Sequence, residues 1–510
     1  MIKKIKRYSL LLLLSGTCSC SGFLDEVPNN AIPENEAMQT LEDASSVVIG
    51  IYSAYKSGAL YSGYLTQIPD IQSDLALAAN TYSGIFADAY RWEMKPTNGE
   101  IQSVYGGLYS VIARCNFFMD YKHQVEATLT TDAEKKSFDK RLGDVYFARA
   151  LAYADLIRTF CEAYDESIAD KEDMGVSIAL TYQDDEPIVK RSTLRESYAQ
   201  VLSDLEMAEK LIPAERASAD SPYFSPGAVH SLKARVYLYM KNYEKAIEAA
   251  SKVINSGTYA LDDATYKYYQ DASGRQYSPY EYMWKYDEGD EIIWKIAMTT
   301  NDRGGALGKI FLGFNGSTYS PDFVAPNPVM ALYTDNDMRY GAFFGNATTA
   351  DGSPQTLIVK YTGNPTIDGG SSRLYTNMPK VFRLSEQYLI RAEAYYFTGK
   401  YDLANKDLTT LRKKRITGYG SASASAENLL KEIQEERVRE LYMEGFRLSD
   451  IKRFGLNVKR EKQLYTMNGA KNNELEVKAG EKLYNLTTWP IPKHEIEASN
   501  GVIKGNASNN

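Results

Sequence analysis

"ERVRELYMEGFRLSDIKRFG", Glu436 to Gly455, packs nine charged side chains into twenty residues. Its reading decides what kind of protein this is. The three-four rule predicts one helix from Ala426 to Lys452, with Ile433, Arg437, Leu441, Glu444, Leu448 and Ile451 on a single stripe. Arg437 and Glu444 then sit among apolar neighbours, where a charge is tolerated only if paired. Glu440, Glu444, Arg447 and Asp450 stand three or four apart, within mutual reach. Gly445 leaves room for another backbone. A catalytic carboxylate would need a raised pKa in a cleft, whereas carboxylates among arginines should have lowered ones. The stretch therefore reads as a packed helix whose ion pairs fix its register.

Two other stretches repeat each other. In "ARVYLYMKNYEKA" (Ala234 to Ala246) and "AEAYYFTGKYDLA" (Ala392 to Ala404), an alanine is followed nine residues later by a tyrosine and three later by another alanine. Lys-Asn and Gly-Lys precede the tyrosines, where a tight turn would join two helices. This is similar to the tetratricopeptide unit. Helical periodicity extends the scaffold to Glu34–Lys56, Gly99–Lys122, Asp132–Phe160, Thr193–Leu211, Pro226–Met240, Tyr243–Asn255, Ser385–Thr398 and Leu403–Arg415. Residues 261–380 are different. They are rich in Gly, Pro, Ser, Thr, Asn and Asp, with short strands predicted at Glu291–Met298 and Thr356–Tyr361. The fold class expected is mostly α: a helix-pair scaffold, mainly 34–260 and 381–455, carrying a loop-rich irregular half. The acidic run "DEGDE" (Asp287 to Glu291) reads as a solvated turn, because its spacing is not that of a calcium loop.

The N-terminus begins with Lys3, Lys4, Lys6 and Arg7, a short apolar run from Ser9 to Leu14, then Cys18 and Cys20. This predicts a lipoprotein signal with acylation of Cys18 or Cys20, a plain secreted protein being the alternative; with Cys20 the signal covers residues 1–19 and a tether 20–33 precedes one domain spanning 34–510. Removing the leader takes the net charge from −8 to −12, which argues against a nucleic-acid partner. Cys115 and Cys161 lie in apolar helical patterns and read as buried thiols, with a disulfide as the alternative. Three histidines, His123, His230 and His494, are not at metal-ligand spacing, and no nucleophile elbow, phosphate loop or dinucleotide fingerprint is present. No cofactor, metal site or enzymatic activity is expected, although a glycosidase needs no local motif.

The Glu436–Gly455 stretch resembles the ER-x-REL-x-x-EG-x-R-x-x-D-x-x-RFG signature of the SusD/RagB family of outer-membrane lipoproteins. "CSGFLDEVP", "YFARALAYADLIRTF", "RSTLRESYAQVLSDLEMAEKLIP", "PKVFRLSEQYLIRAEAY" and "WPIPKHEI" resemble further family segments, in the family's order. The spacing of Cys20 to Phe-Leu-Asp is what selects it over Cys18. The resemblance implies a tetratricopeptide-like fold and a surface-exposed protein, lipid-anchored on the outer membrane. It also implies that oligosaccharide is captured and passed unchanged to a SusC-like TonB-dependent transporter. Peptide capture, as in RagB-like members, and a surface glycoside hydrolase are the alternatives.

Family ligand sites use aromatic platforms in the loop-rich half. Three stretches are candidates: Asn80, Tyr82, Phe86 and Trp92; Arg275, Tyr277 and Tyr280; and Phe314, Asn315 and Tyr319. At the first, Leu77 and Ala79 fall where the family's platform would be aromatic, so a starch-like glucan is not implied. Ordinary loop packing is the other reading for each.

Overall fold

The computed structural model describes residues 36–182, 188–369, 374–467 and 473–509. The leader, Cys20 and the tether lie outside them. Helices of eight residues or more are α1 Leu41–Tyr55, α2 Tyr64–Ile71, α3 Gly99–Glu126, α4 Asp132–Phe160, α5 Leu194–Leu211, α6 Pro226–Tyr239, α7 Tyr243–Ile254, α8 Pro279–Tyr286, α9 Leu384–Phe397, α10 Tyr401–Lys413, α11 Ala426–Glu440 and α12 Arg447–Phe454. Local chemistry sets several starts. Thr193 and Glu196 form a capping box at the start of α5, and Thr131 with Glu134 does the same for α4. Among the described residues the first of these helices starts at Leu41, because Thr40 and Asp43 close a capping box there; Glu34, where the sequence places its start, lies outside them. Among the described residues, no helix is long and apolar enough to cross a membrane.

The two repeated stretches become the helix pairs α6–α7 and α9–α10. Their turns run through Lys241 (φ 58°) and Gly399 (φ 73°). Ala234, Ala246, Ala392 and Ala404 are all fully buried, and their small side chains let the helices approach closely. The pairs stack on each other through α7 and α9. Tyr243 lies face to face with Phe397 at 4.6 Å and 14°, and Lys400 pairs with Glu244 at 3.0 Å. This is the helix-pair scaffold that the sequence predicts.

The loop-rich half carries short strands: β1 Leu77–Ala78, β2 Tyr269–Gln270, β3 Gln276–Tyr277, β4 Ile292–Lys295, β5 Phe323–Val324, β6 Phe344–Thr348, β7 Pro354–Ile358 and β8 Lys380–Arg383, with β9 Val458–Arg460 and β10 Leu475–Val477 near the C-terminus. All pairing among them is antiparallel and two-stranded: β1 with β5, β2 with β3, β4 with β8, β6 with β7, and β9 with β10. Such small ribbons cannot stand alone and depend on burial against their surroundings. Cys115 and Cys161 are buried free thiols.

Two expectations are corrected. The helix predicted over Ala426–Lys452 is broken: α11 ends at Glu440, and α12 begins at Arg447. Between them Met443 and Gly445 adopt φ of 59° and 83°. The break is held by Asp70, whose carboxylate accepts the backbone N–H of Gly445 and of Arg447, each at 2.9 Å. The acidic run at Asp287–Glu291 is not a solvated turn. Glu288 and Asp290 face solvent, but Asp287 and Glu291 are fully buried. Asp287 accepts from Lys380 at 2.5 Å, and Glu291 from Arg383 at 2.5 Å and Arg415 at 2.6 Å.

Candidate functional site

The charged stretch at Glu436–Gly455 is not the site. Glu440 accepts from Arg383 at 2.8 Å and from Arg339 and Arg415 at 3.0 Å. Glu436 accepts from Arg339 and Arg412 at 2.6 Å and from Arg439 at 2.8 Å. Burial opposes the ionisation of both, but the surrounding guanidinium groups outweigh it and hold both carboxyls well below the usual range. Asp450, bound by Arg437 and Arg453, is lowered for the same reason. These groups are ionised, paired and closed to water, which suits cross-linking and not proton transfer.

A cleft of about 370 Å³ opens instead in the loop-rich half, a size within the usual range for small-molecule sites. One wall comes from the β2–β3 hairpin and α8, with Arg275, Tyr277 and Lys285; the other includes Tyr319 and Phe344. The hairpin is set by Asp271, whose carboxylate accepts the backbone N–H of Ser273 and Arg275 and the Tyr277 hydroxyl at 2.9, 3.1 and 2.8 Å. The Ser273 hydroxyl, donating at 2.6 Å, and then the Tyr277 hydroxyl and these backbone bonds keep its carboxyl at about 2. Helix α8 starts in a capping box of Ser278 and Glu281, with Pro279 in the first turn. On the floor, Trp284 lies under the Lys360 ammonium at 3.9 Å. Burial lowers Lys360 to about 8, while Glu444 at 2.7 Å supplies its counter-charge.

Outside the cleft runs a column of tyrosines. Tyr282 and Tyr286 lie one turn apart on α8 and stack at 4.5 Å and 24°. Tyr269 stacks on Tyr282 at 4.0 Å and 21°, and the 72% exposed Tyr268 meets Tyr269 edge-on. At the other end Tyr286 meets the cleft residue Tyr277 edge-on at 5.8 Å. Aromatic surface thus leads from solvent to the cleft, with Tyr268 its most exposed ring. Both faces of Tyr282 are covered by its neighbours, so the column offers a ligand ring edges and phenol hydroxyls rather than open faces.

The predicted site residues divide sharply. Arg275, Tyr277 and Tyr319, from two separate stretches, meet at this cleft, and Phe314 packs on Tyr319 at 4.7 Å; Tyr277 is itself only 5% exposed, under the Arg275 guanidinium and bonded to Asp271, and so backs the wall more than it faces a ligand. Asn315 is spent on a turn, its side-chain oxygen accepting the N–H of Ser317 and Thr318. Tyr280 is fully buried beneath Arg415, whose guanidinium lies 4.1 Å over its ring. Phe86 and Trp92 are likewise core residues, 5% and 2% exposed; the Trp92 ring N–H donates inward to the Gln72 carbonyl at 2.7 Å. These three have no face left for a ligand. Tyr82 is half-buried against Phe323. Asn80 borders a different cavity, of about 810 Å³, beside Gln355 and Tyr465. Sequence reasoning missed Tyr269, Tyr282 and Tyr286. The i, i+4 spacing of the last two was the available signal.

The chain resembles known proteins over almost its whole length. Residues 233–508 match the SusD family, and residues 22–238 match a family described as starch-binding and associating with the outer membrane. SusD-like protein P38 of Formosa agariphila is 26% identical over 335 residues, 64% of this chain and 60% of that protein. A SusD superfamily protein from Bacteroides thetaiotaomicron superposes with a TM-score of 0.77 at 23% identity, covering 92% of this chain and 99% of the other. A SusD-like carbohydrate binding protein from Bacteroides vulgatus gives 0.71 at 20% identity, covering 91% and 97%.

Proposed function

From the premise that the chain belongs to the SusD family, we propose that it is a glycan-capture protein of the outer membrane, binding oligosaccharide at the cleft bordered by Arg275, Tyr277 and Tyr319. The observation that carries this reading is the stacked column Tyr269–Tyr282–Tyr286 ending at that cleft. Two names support the ligand class: the family matched at residues 22–238 is described as starch-binding, and a neighbour of the same fold is a carbohydrate binding protein. Acylated Cys20 would hold the protein at the cell exterior, and a SusC-like TonB-dependent transporter would receive the unchanged ligand.

Capture without cleavage also fits the acids at the cleft. A glycosidase needs two carboxylates flanking the bound sugar, about 5–5.5 or 6.5–9.5 Å apart. Among the described residues lining the cleft, the carboxylate is Glu281. It is engaged by the Ser278 cap and by Lys267.

The test is calorimetry against plant, host and microbial polysaccharides, using the mature chain with Cys20→Ser to remove the acylation point. Binding without release of reducing ends is expected. Reducing ends accumulating with time, or binding of peptides alone, would overturn the reading.

A further inference from the structure

The cleft has an excess of cationic charge that the fold does not use. Arg275 is exposed at the hairpin, its guanidinium 5.1 Å over the Tyr277 ring. Among the described residues it has no carboxylate within ion-pair distance. Lys285, half-buried on α8, donates to the Thr362 hydroxyl at 3.2 Å and the Gly363 carbonyl at 3.1 Å, again without a carboxylate partner among the described residues. Of the neighbouring acids, Asp368 acts on Lys285 from beyond ion-pair distance and is shared with Arg303, and the others are engaged by other groups. Asp271 closes the hairpin turn, Glu281 caps α8 and pairs with Lys267, Asp287 is held by Lys380 and Asn364, and Glu444 by Lys360 and Arg383. Lys285 is lowered from its ordinary pKa, first by burial and then by the charge of Arg275. Among the described residues, two cations thus border one cleft with no carboxylate in direct contact, and the acids that act on Lys285 do so from farther off; an incoming anion would supply the missing contact.

Resting on the glycan-capture reading above, we infer that the cleft selects acidic glycans, seating a sugar carboxylate or sulfate ester between Arg275 and Lys285 while the ring packs on the aromatic walls. The planar guanidinium suits a two-oxygen acceptor, and the ammonium acts as a point charge at shorter range. Tyr319, half-buried on the facing wall with Phe344 buried behind that wall, gives the uncharged part of the sugar an apolar surface. A neutral glucan would leave both cations facing solvent and gain only the stacking.

The test uses matched pairs of polymers. The mature chain with Cys20→Ser is titrated with oligogalacturonate and its carboxyl-reduced neutral form, and with a sulfated galactan and its desulfated form. Preference for either charged member over its neutral match by about tenfold or more supports the inference, that factor being the size of one charge-assisted hydrogen bond. The carboxylate and sulfate arms identify which source of charge is read. Arg275→Gln, at an exposed position, should erase most of that preference, lowering affinity for the charged member far more than for its neutral match, with the melting temperature as a control for folding. Equal affinity for charged and neutral members overturns the inference and leaves glycan capture standing. A preference that survives in both Arg275→Gln and Lys285→Gln also overturns it. Binding of carboxylate-bearing peptides with no binding of any glycan overturns both readings.

Discussion

Arg383 and Glu440 meet at 2.8 Å in a space closed to water, and the same guanidinium donates to Glu291 at 2.5 Å and to Glu444 at 2.6 Å. Arg383 ends β8, Glu291 precedes β4 and Glu440 ends α11. One side chain therefore ties the loop-rich half to the helical scaffold. Removing one partner of such a buried set leaves charge uncompensated, a loss of about 3–5 kcal/mol. Glu440→Ala should destabilise the fold by this amount in urea unfolding. A change under 1 kcal/mol would mean that the network contributes little.

The dependence of stability on pH follows from opposed groups. Glu436, Glu440 and Asp450 are held below their ordinary pKa values once folded. Their contribution is complete above the unfolded values and is lost as pH falls through the folded ones. Burial raises Asp70 to about 7 and Asp144 to about 6, and burial with the nearby Glu291 raises Asp262 to about 8. These three retain a proton in the native state that the unfolded chain has released, so their effect is declining stability as pH rises from about 4 toward their folded values. Thermal unfolding should show maximal stability near pH 5, falling on both sides. Stability rising steadily from pH 5 to pH 9 would contradict this balance.

Gly445 is required for two separate reasons. Its φ of 83° lies in the left-handed region, and an added Cβ would come within 3.0 Å of the Leu65 and Thr66 carbonyl oxygens. Backbone in this region costs about 1–3 kcal/mol for a residue with a side chain, and here the neighbours are main chain that cannot turn aside. Gly445→Ala should lower stability by at least that much. A melting temperature equal to that of the parent would show that the α11–α12 break tolerates rearrangement.

The scaffold was legible because its signals are local. Alanine and tyrosine at fixed spacing mark the α6–α7 and α9–α10 turns, and Thr193 with Glu196 marks the start of α5. Pairing of the arginines and acids in Glu436–Gly455 was also legible, since that many charges cannot share an apolar stripe unpaired. The break after Glu440 was not, because its determinant is Asp70, far away in the chain. Asp287 and Glu291 were misread for the same reason: their partners Lys380, Arg383 and Arg415 arrive from other elements. Tyrosine was the least informative residue at the site. Tyr280 and Tyr282 have the same chemistry two positions apart, yet α8 turns one inward under Arg415 and the other out into the column.

The two cysteines give a direct check on the core. Both are fully buried free thiols, and burial pushes both above the ordinary thiol pKa. The mature chain with Cys20→Ser should show no reaction with a disulfide reagent while folded. It should show two thiols per chain in denaturant. Absence of thiols after unfolding would mean that Cys115 and Cys161 are bonded in the isolated protein.

Tyr282 is the central, half-buried ring of the column, stacked at 4.0 Å on one side and 4.5 Å on the other. Those stacks, each worth about 0.5–1.5 kcal/mol beyond the area buried, hold Tyr269 and Tyr286 in line, so truncating this ring should disorder the column and weaken polymer binding by about two- to tenfold. The column lies outside the cleft, which makes chain length the discriminating variable. Tyr282→Ala should reduce affinity for long oligosaccharides that reach both the cleft and the column. Short ones that fill only the cleft should bind as before. Calorimetry across a size series reads this difference directly, with the melting temperature as a control for folding. Equal losses at every length would place the effect in a disturbed α8 and remove the column from the binding surface.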